Sequence, residues 1–412
     1  VVYAEYAGVA LSAAVNVSVI DAGIVFDVTN LTPTVGGYGV ELSTYAIDDY
    51  LTAITPDVKV TENGQTMDNA TIDYTSDDEQ IATIVDGQIV AAGSGTTKVR
   101  GTYKTSGFVI DVSVTKPLLS VSAVNKTVET GRLSDIVFDR QLAGELTSAT
   151  IGNYPVGSTI KDGKLALDRN KLEEMPVSEY GENVTLLCET TQARYRAEID
   201  LYTLVVKSKQ DYMSMGALSK AACKNDSRLF GGYFVLGDNI TVNGGMSEFV
   251  DRTVTDFNGD GSQGFCGVID GKGYVISGLT KTTNNGNAFI SVMHRDGVLK
   301  NIGFVNASFE ANEGSFLVHT GAGTVQNVYV QYNKISGASP DGYSGTLYNA
   351  NLKVNRLVVD VTSTQISGNG NKFLLMTDNR EADLKNFICL FGDNYSLQDV
   401  ESGKVTIESN QD

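Results

Sequence analysis

Asp256-Phe-Asn258-Gly-Asp260-Gly261 sets three side-chain oxygens at alternate positions ahead of a glycine. The first half of a calcium-binding loop wraps a hard cation in this way. The twelfth position of an EF-hand loop, which must supply a bidentate carboxylate, falls on Gly267, so a helix–loop–helix site is excluded. Asp256, Asn258 and Asp260 therefore stand as candidate ligands of an irregular site completed by Asp270 or a backbone carbonyl. Calcium is the one cofactor the sequence admits, and an Asx/Gly turn is the simpler reading of the same residues. A second acidic cluster, Asp77-Asp78-Glu79, reads as a solvated loop, with calcium binding as the lesser alternative.

Other reactive side chains are scarce. The two histidines, His294 and His319, share no motif, and they read as surface or loop residues rather than catalytic bases. Cys188, Cys223, Cys266 and Cys389 are spaced 35, 43 and 123 residues apart. None has C-x-x-C spacing or a histidine at ligand distance, so zinc and redox motifs are unsupported and buried free thiols on strands are expected. The chain carries no Gly-rich phosphate loop, no G-x-S-x-G and no basic aromatic patch.

Short β-branched and aromatic runs alternate with Gly, Asn, Asp and Ser clusters along the whole chain, which predicts an all-β protein. The exception is residues 211–222, where Tyr212, Met215, Leu218 and Ala222 recur at helical spacing and predict a short amphipathic capping helix. Three blocks are expected, at residues 1–116, 117–207 and 208–412, with Pro117 closing the first. In the last block, four apolar runs begin beside Asn301, Asn327, Asn355 and Asn386, at intervals of 26, 28 and 31 residues. A second marker, Phe289, Phe316, Leu347 and Phe373, recurs at intervals of 27, 31 and 26. Two markers in step at this period predict a solenoid, and too few apolar runs per repeat remain for a propeller blade. A parallel β-helix results, its asparagines expected at turns that need unusual backbone angles and stacked on those of the next coil.

Two resemblances follow from these residues. Tyr74, Ser76-Asp77, Ile81-Ala82, Asp86-Gly87, Ile89, Gly95-Thr96 and Val99 stand in the order of the group 2 bacterial immunoglobulin-like domain, with Tyr74 where that family more often has Trp. There Ile81, Ile84, Ile89 and Val99 are expected to point inward. The stretch 265–279, with Gly232-Tyr233 before it and Lys300-Asn301-Ile302-Gly303 after it, resembles the right-handed parallel β-helices of bacterial surface proteins related to the pectin-lyase superfold and to GLUG repeats. Together they imply an immunoglobulin-like sandwich, a second small β-sandwich-like spacer at 117–207, and a C-terminal right-handed parallel β-helix. β-Helix lyases and hydrolases carry carboxylates, or a carboxylate with Lys or Arg, on adjacent coils. Asp296, Asp341, Arg356, Asp360 and Asp378 are the candidates here, yet they share no common offset in the repeat.

The 412 residues balance 31 Lys+Arg against 49 Asp+Glu, a net charge of −18 that disfavours nucleic acid and anionic lipid as partners. No apolar run is long enough for a membrane span, and no signal peptide is readable. Opening on Val1, the chain reads as a processed or truncated product of an exported protein. The function these features imply is a non-catalytic extracellular or cell-surface protein for adhesion, its immunoglobulin-like modules presenting a β-helix that binds a glycan or a host or surface protein. The alternatives are a polysaccharide lyase or glycoside hydrolase using the β-helix groove, and a structural part of a phage particle or surface filament.

Overall fold

The computed structural model describes residues 5–6, 9–10, 23–172, 174–221, 228–246, 261–282, 288–337, 344–348, 350–368, 374–377 and 383–390. The protein is all-β, with strands joined mainly by turns. It divides into two compact units, one holding Val1–Leu119 with 143–145 and 189–195, the other holding 120–142, 146–188 and Arg196–Asp412.

In the first unit Gly37–Ser43, Ser106–Thr115, Gly95–Tyr103 and Asp73–Ser76 lie side by side in one sheet, edged by Thr32–Thr34. Gly37–Ser43 runs parallel to Ser106–Thr115, Val40 opposite Val112, while the other pairs are antiparallel. Two three-stranded sheets, 82–85/88–91/53–54 and 24–28/58–62/65–66, complete an immunoglobulin-like sandwich. Strand Gly95–Tyr103 alternates in burial because one face turns to the core and the other to water. Ile89 and Val99 are fully buried, and Ile81 and Ile84 pack against them half-buried. The hairpin 82–91 turns on Asp86 and Gly87, both with positive φ, the backbone that a two-residue turn of this hand requires. Tyr74 packs edge-on against Phe108 at 6.3 Å, and burial pushes its phenol up to about 12.

The second unit begins with most of an eight-stranded sheet, in which Gly181–Thr190, Leu146–Ile151, Tyr154–Lys161, Lys164–Leu167 and Ile136–Val137 are successive neighbours. Its hairpin turns fall at Gly152 and at Asp162-Gly163, all at positive φ. Cys188 is buried in this sheet, and burial raises its thiol to about 12; Cys266 and Cys389 are also free thiols.

From Leu204 onward every strand pairing is parallel, in successive coils. One core column runs Phe234, Ile269, Leu299, Val325, Val354, and a second runs Ile240, Ile276, Phe304, Val330, Val359. All ten are at most 2% exposed. Each buried side chain stabilises by roughly 1.5–3 kcal/mol, which offsets the ordering of the turns between strands. A parallel β-helix is the result. Phe289, Phe304, Phe316 and Tyr332 add a chain of edge contacts at 4.8–5.9 Å through its interior. Helix Lys209–Ala221 lies against the first coils, with Tyr212 and Met215 buried and Tyr212 stacked on Phe289. Ser208 Oγ accepts the Asp211 N–H and caps its first turn.

The corners follow the asparagines. Asn301, Asn327 and Asn386 occupy equivalent places with φ of 53°, 53° and 54°, and Asn327 Nδ2 donates to Asn301 Oδ1 at 2.8 Å. The fourth coil departs from expectation: Arg356 takes the left-handed corner at φ 60°, and Asn355 sits one residue earlier, opposite Lys385. Asn386 Nδ2 nonetheless reaches Asn355 Oδ1 at 3.0 Å. The second marker is less exact, since Ile290, Val318, Leu347 and Met376 are the in-register residues, although the Phe289 N–H does donate to the Phe316 carbonyl. Phe373 lies outside the described residues.

Asn327→Ala should lower stability by about 2 kcal/mol, combining loss of the amide hydrogen bond with a Cβ forced into the left-handed region. Asn327→Gly keeps that backbone at ease and should cost less. Equal urea midpoints for the two variants would show that the corner conformation carries no energy.

Candidate binding face

The corner ladder starts from a charge. Asp270, 2% exposed, lies one coil before Asn301 and accepts from Asn301 Nδ2 at 3.0 Å and from the Lys272 N–H at 2.9 Å. Its other oxygen is 3.3 Å from Lys300 Nζ and 3.6 Å from Lys272 Nζ. Lys272 also reaches Glu182 at 2.8 Å, and Lys300 lies over the Tyr233 ring at 5.9 Å. Burial alone would raise the Asp270 carboxyl, but the two N–H donors and the two ammoniums outweigh it and hold the group below the usual carboxylate range. The two N–H donors and the two ammoniums converge on Asp270, and the cluster anchors the ladder.

Beyond the corner, the next sheet turns one face outward in two in-register columns. Val275, Gly303, Tyr329, Val358 and Ile388 form the first; the second has two runs, Ser277 with Val305 and Gln331 with Asp360 and Leu390, separated by a register shift after Phe304. They alternate with the buried Ile276–Phe304–Val330–Val359 column, as a pleated strand requires. Tyr329 Oη donates to Asp360 Oδ2 at 2.8 Å, and the Thr362 N–H and hydroxyl hold Oδ1 at 2.9 and 2.7 Å. Burial, then the hydrogen bond and charge of Asp360, push the Tyr329 phenol up to about 12. Asn306 donates its Nδ2 to Ser277 Oγ at 3.1 Å, and Tyr274 stands 37% exposed beside the face.

These columns contain most of what sequence reasoning missed. Asn306 and Asn243 are a second set of left-handed corners with Gly278 between them, at φ of 51°, 46° and 75°. The signal was an Asn or Gly on each coil, and the glycine in the middle of the series hid it. Tyr329 carried no motif.

Of the residues singled out for chemistry, Asp256, Asn258, Asp260, Asp341 and Asp378 lie outside the described residues, as does Cys223. Among the described residues, no group of three or more His, Cys, Asp or Glu is arranged to hold a metal. Asp296 is exposed and, among the described residues, pairs with His294, whose Nδ1 accepts the Asp296 N–H at 3.1 Å. His294 and His319 sit at different register positions. Arg356 occupies the corner, 3.5 Å from Asn327 Oδ1, and Asp360 is spoken for by Tyr329 and Thr362. In-register neighbours lie about 4.8 Å apart, close to the separation a retaining pair of carboxylates needs. The Asp360 column offers no second carboxylate beside it.

The acidic cluster of the first unit borders an open groove of about 430 Å³ with Asp111 and Lys98. Two of its carboxylates are paired: Arg100 holds Asp77 through two bonds of 3.0 and 2.9 Å and Lys98 holds Asp111 at 2.7 Å, while Asp78 accepts the Gln80 N–H. It is a braced turn.

The fold and this face define an all-β protein with an immunoglobulin-like sandwich and a parallel β-helix that exposes a regular, tyrosine-bearing sheet. No family model matches the chain, and no curated protein matches it. Among solved structures it is similar to the I9–I11 tandem of titin, at 9% identity over 41% of this chain and 66% of that one, TM-score 0.17. It is likewise similar to the Bacteroides ovatus mixed-linkage glucan utilization locus protein SGBP-B in complex with a mixed-linkage heptasaccharide, at 10% identity, covering 44% and 48%, TM-score 0.15. The four N-terminal Ig domains of Dscam1 isoform 4.44 give 10%, 43%, 46% and 0.17. The chain thus spans about half the length of the last two.

Asp270→Ala should cost about 2–3 kcal/mol, because it leaves two donors unanswered. The larger losses of a fully buried pair are out of reach, since both lysines keep about a third of their surface in water. The carboxyl is depressed, so its contribution is complete above the ordinary value of 3.8 and lost as pH falls through the folded value. Asp270→Asn should therefore flatten the acid limb of a stability–pH curve. An unchanged limb in urea melts across that range would remove the ion cluster from the account.

Proposed function

We propose that this chain is a non-catalytic extracellular or bacterial cell-surface protein that binds a glycan through the outer β-helix face of Tyr274, Tyr329, Gln331 and Asp360. A surface protein as partner is the broader form of the same reading. On this reading residues 1–116 are a group 2 bacterial immunoglobulin-like module and 117–207 a spacer, and 208–412 are a right-handed β-helix of the GLUG-like, pectin-lyase-like kind.

The observation that carries it is the in-register pair of outward columns. They set a half-buried tyrosine ring, an amide and a carboxylate about one strand apart on a rigid sheet. A sugar ring needs a flat apolar surface with hydrogen-bonding groups at its edge, and a tyrosine beside Asp360 and Gln331 supplies both. The preformed sheet adds to this, since little ordering opposes binding. Among the described residues no helix is long and apolar enough to cross a membrane.

A glycan microarray, followed by calorimetry on its hits, tests this. Tyr274→Ala should weaken binding about tenfold, which equals about 1.4 kcal/mol, with melting temperature unchanged; Tyr329→Ala should weaken it as much and also lower the melting temperature, because its hydroxyl holds Asp360. Release of reducing ends or unsaturated products from a polysaccharide would instead establish the enzyme reading. Concentration-dependent growth in light scattering would favour a filament or particle subunit.

A further inference from the structure

The first coil of a β-helix has strand edges that no earlier coil covers, and free N–H and C=O groups on such an edge are a template for another chain. Leu204–Val206 is that edge here. It pairs on one side with Tyr233–Leu236, and from that side the Gly237 N–H donates to the Val206 carbonyl at 2.9 Å. Backbone groups alternate in direction along a strand, so the N–H groups of Val205 and Lys207 point the other way. Both donate to carboxylates: Val205 to Glu129 Oε1 at 2.7 Å, and Lys207 to Asp211 Oδ2 at 2.9 Å.

These carboxylates take over where a strand stops. Thr127–Glu129 runs parallel to Asp200–Tyr202, and the Thr130 and Gly131 N–H groups carry the pairing on to the carbonyls of Tyr202 and Thr203. The chain then turns away at Leu133, held at φ 49°, a conformation a bulky residue adopts only when its surroundings impose it. Arg132 ties the two carboxylates together, its Nη1 2.6 Å from Glu129 and its Nη2 2.6 Å from Asp211. Both acidic side chains are 16% exposed, which shelters the pairings better than an open surface would. Asp211 belongs to the first turn of helix Lys209–Ala221, and capping explains its place. Glu129 comes from outside the helix, and capping does not explain it. The helix closes two other first-coil edges as well. Lys209 Nζ donates to the Val242 carbonyl at 2.7 Å on Ile240–Gly245, and the Ser219 carbonyl accepts the Gly231 N–H at 2.9 Å beside Leu229–Phe230.

We propose that Glu129, Arg132 and Asp211 form a clasp that mimics a β-strand and keeps this edge from pairing with a strand of a second copy of this chain. A second copy fits the edge because its own coils are parallel and equally spaced, and such a head-to-tail contact does not close, so chains would add one after another. Hydrogen exchange and light scattering on the full chain test this. In the wild type the Val205 and Lys207 amides should exchange about tenfold or more slower than exposed turn amides, and the mass should stay that of a monomer at every concentration. Glu129→Ala combined with Asp211→Ala should speed both amides by about the same factor and give a mass that grows with concentration. Adding Lys207→Pro, which deletes an edge donor on an exposed residue, should return that variant to the monomer and so separates strand pairing from clumping of a misfolded chain. Unprotected wild-type amides, a double variant that stays monomeric, or growth that survives Lys207→Pro would each overturn the proposal.

Discussion

From Asn301 on, the coils of the β-helix depend on one constraint: the chain must turn through a left-handed corner at the same place as in the coil before it. A slip of one residue would send Ile276, Phe304 and Val330 to the solvent face and the Tyr329 column into the core, because strand side chains alternate. L-residues other than glycine resist that corner, and asparagine resists it least. The corner thus couples backbone conformation to core registration and, one residue further on, to what the outer face displays. The amide hydrogen bond from Asn327 to Asn301 is a secondary gain, worth about 1 kcal/mol, beside two core columns of ten buried side chains.

This explains which parts of the fold were legible in the sequence. Asn301, Asn327 and Asn386 were readable because corner chemistry and core period advertise the same positions. Arg356 was not: a long side chain at positive φ has no propensity signal, and the neighbouring Asn355 imitated one. The hairpin at Asp86-Gly87 and the turn at Asp162-Gly163 were readable for the reason the asparagines were, each needing φ values that few residues accept. Capping helix Lys209–Ala221 was visible from Tyr212 and Met215, which it buries, while its start two residues before Asp211 depended on Ser208.

The site was far less legible. Asp270 was considered only as a spare calcium ligand, whereas its two lysines come from its own coil turn and from the coil after it, a juxtaposition that only parallel stacking creates. Tyr329 and Asp360 are 31 residues apart and meet because their strands are in-register neighbours. Chemistry assembled across coils leaves no short motif, and a carboxylate screen by sequence offset overlooks the tyrosine that holds the carboxylate.

Charge sets the terms on which the proposed binding face operates. A net charge of −18 repels polyanions at long range, but at physiological salt that repulsion fades within about 8 Å. An extended acidic glycan laid across the β-helix would feel it along its whole length, and at the outer columns it would meet the Asp360 carboxylate. A neutral glycan would exchange water for tyrosine faces and amides at little electrostatic cost.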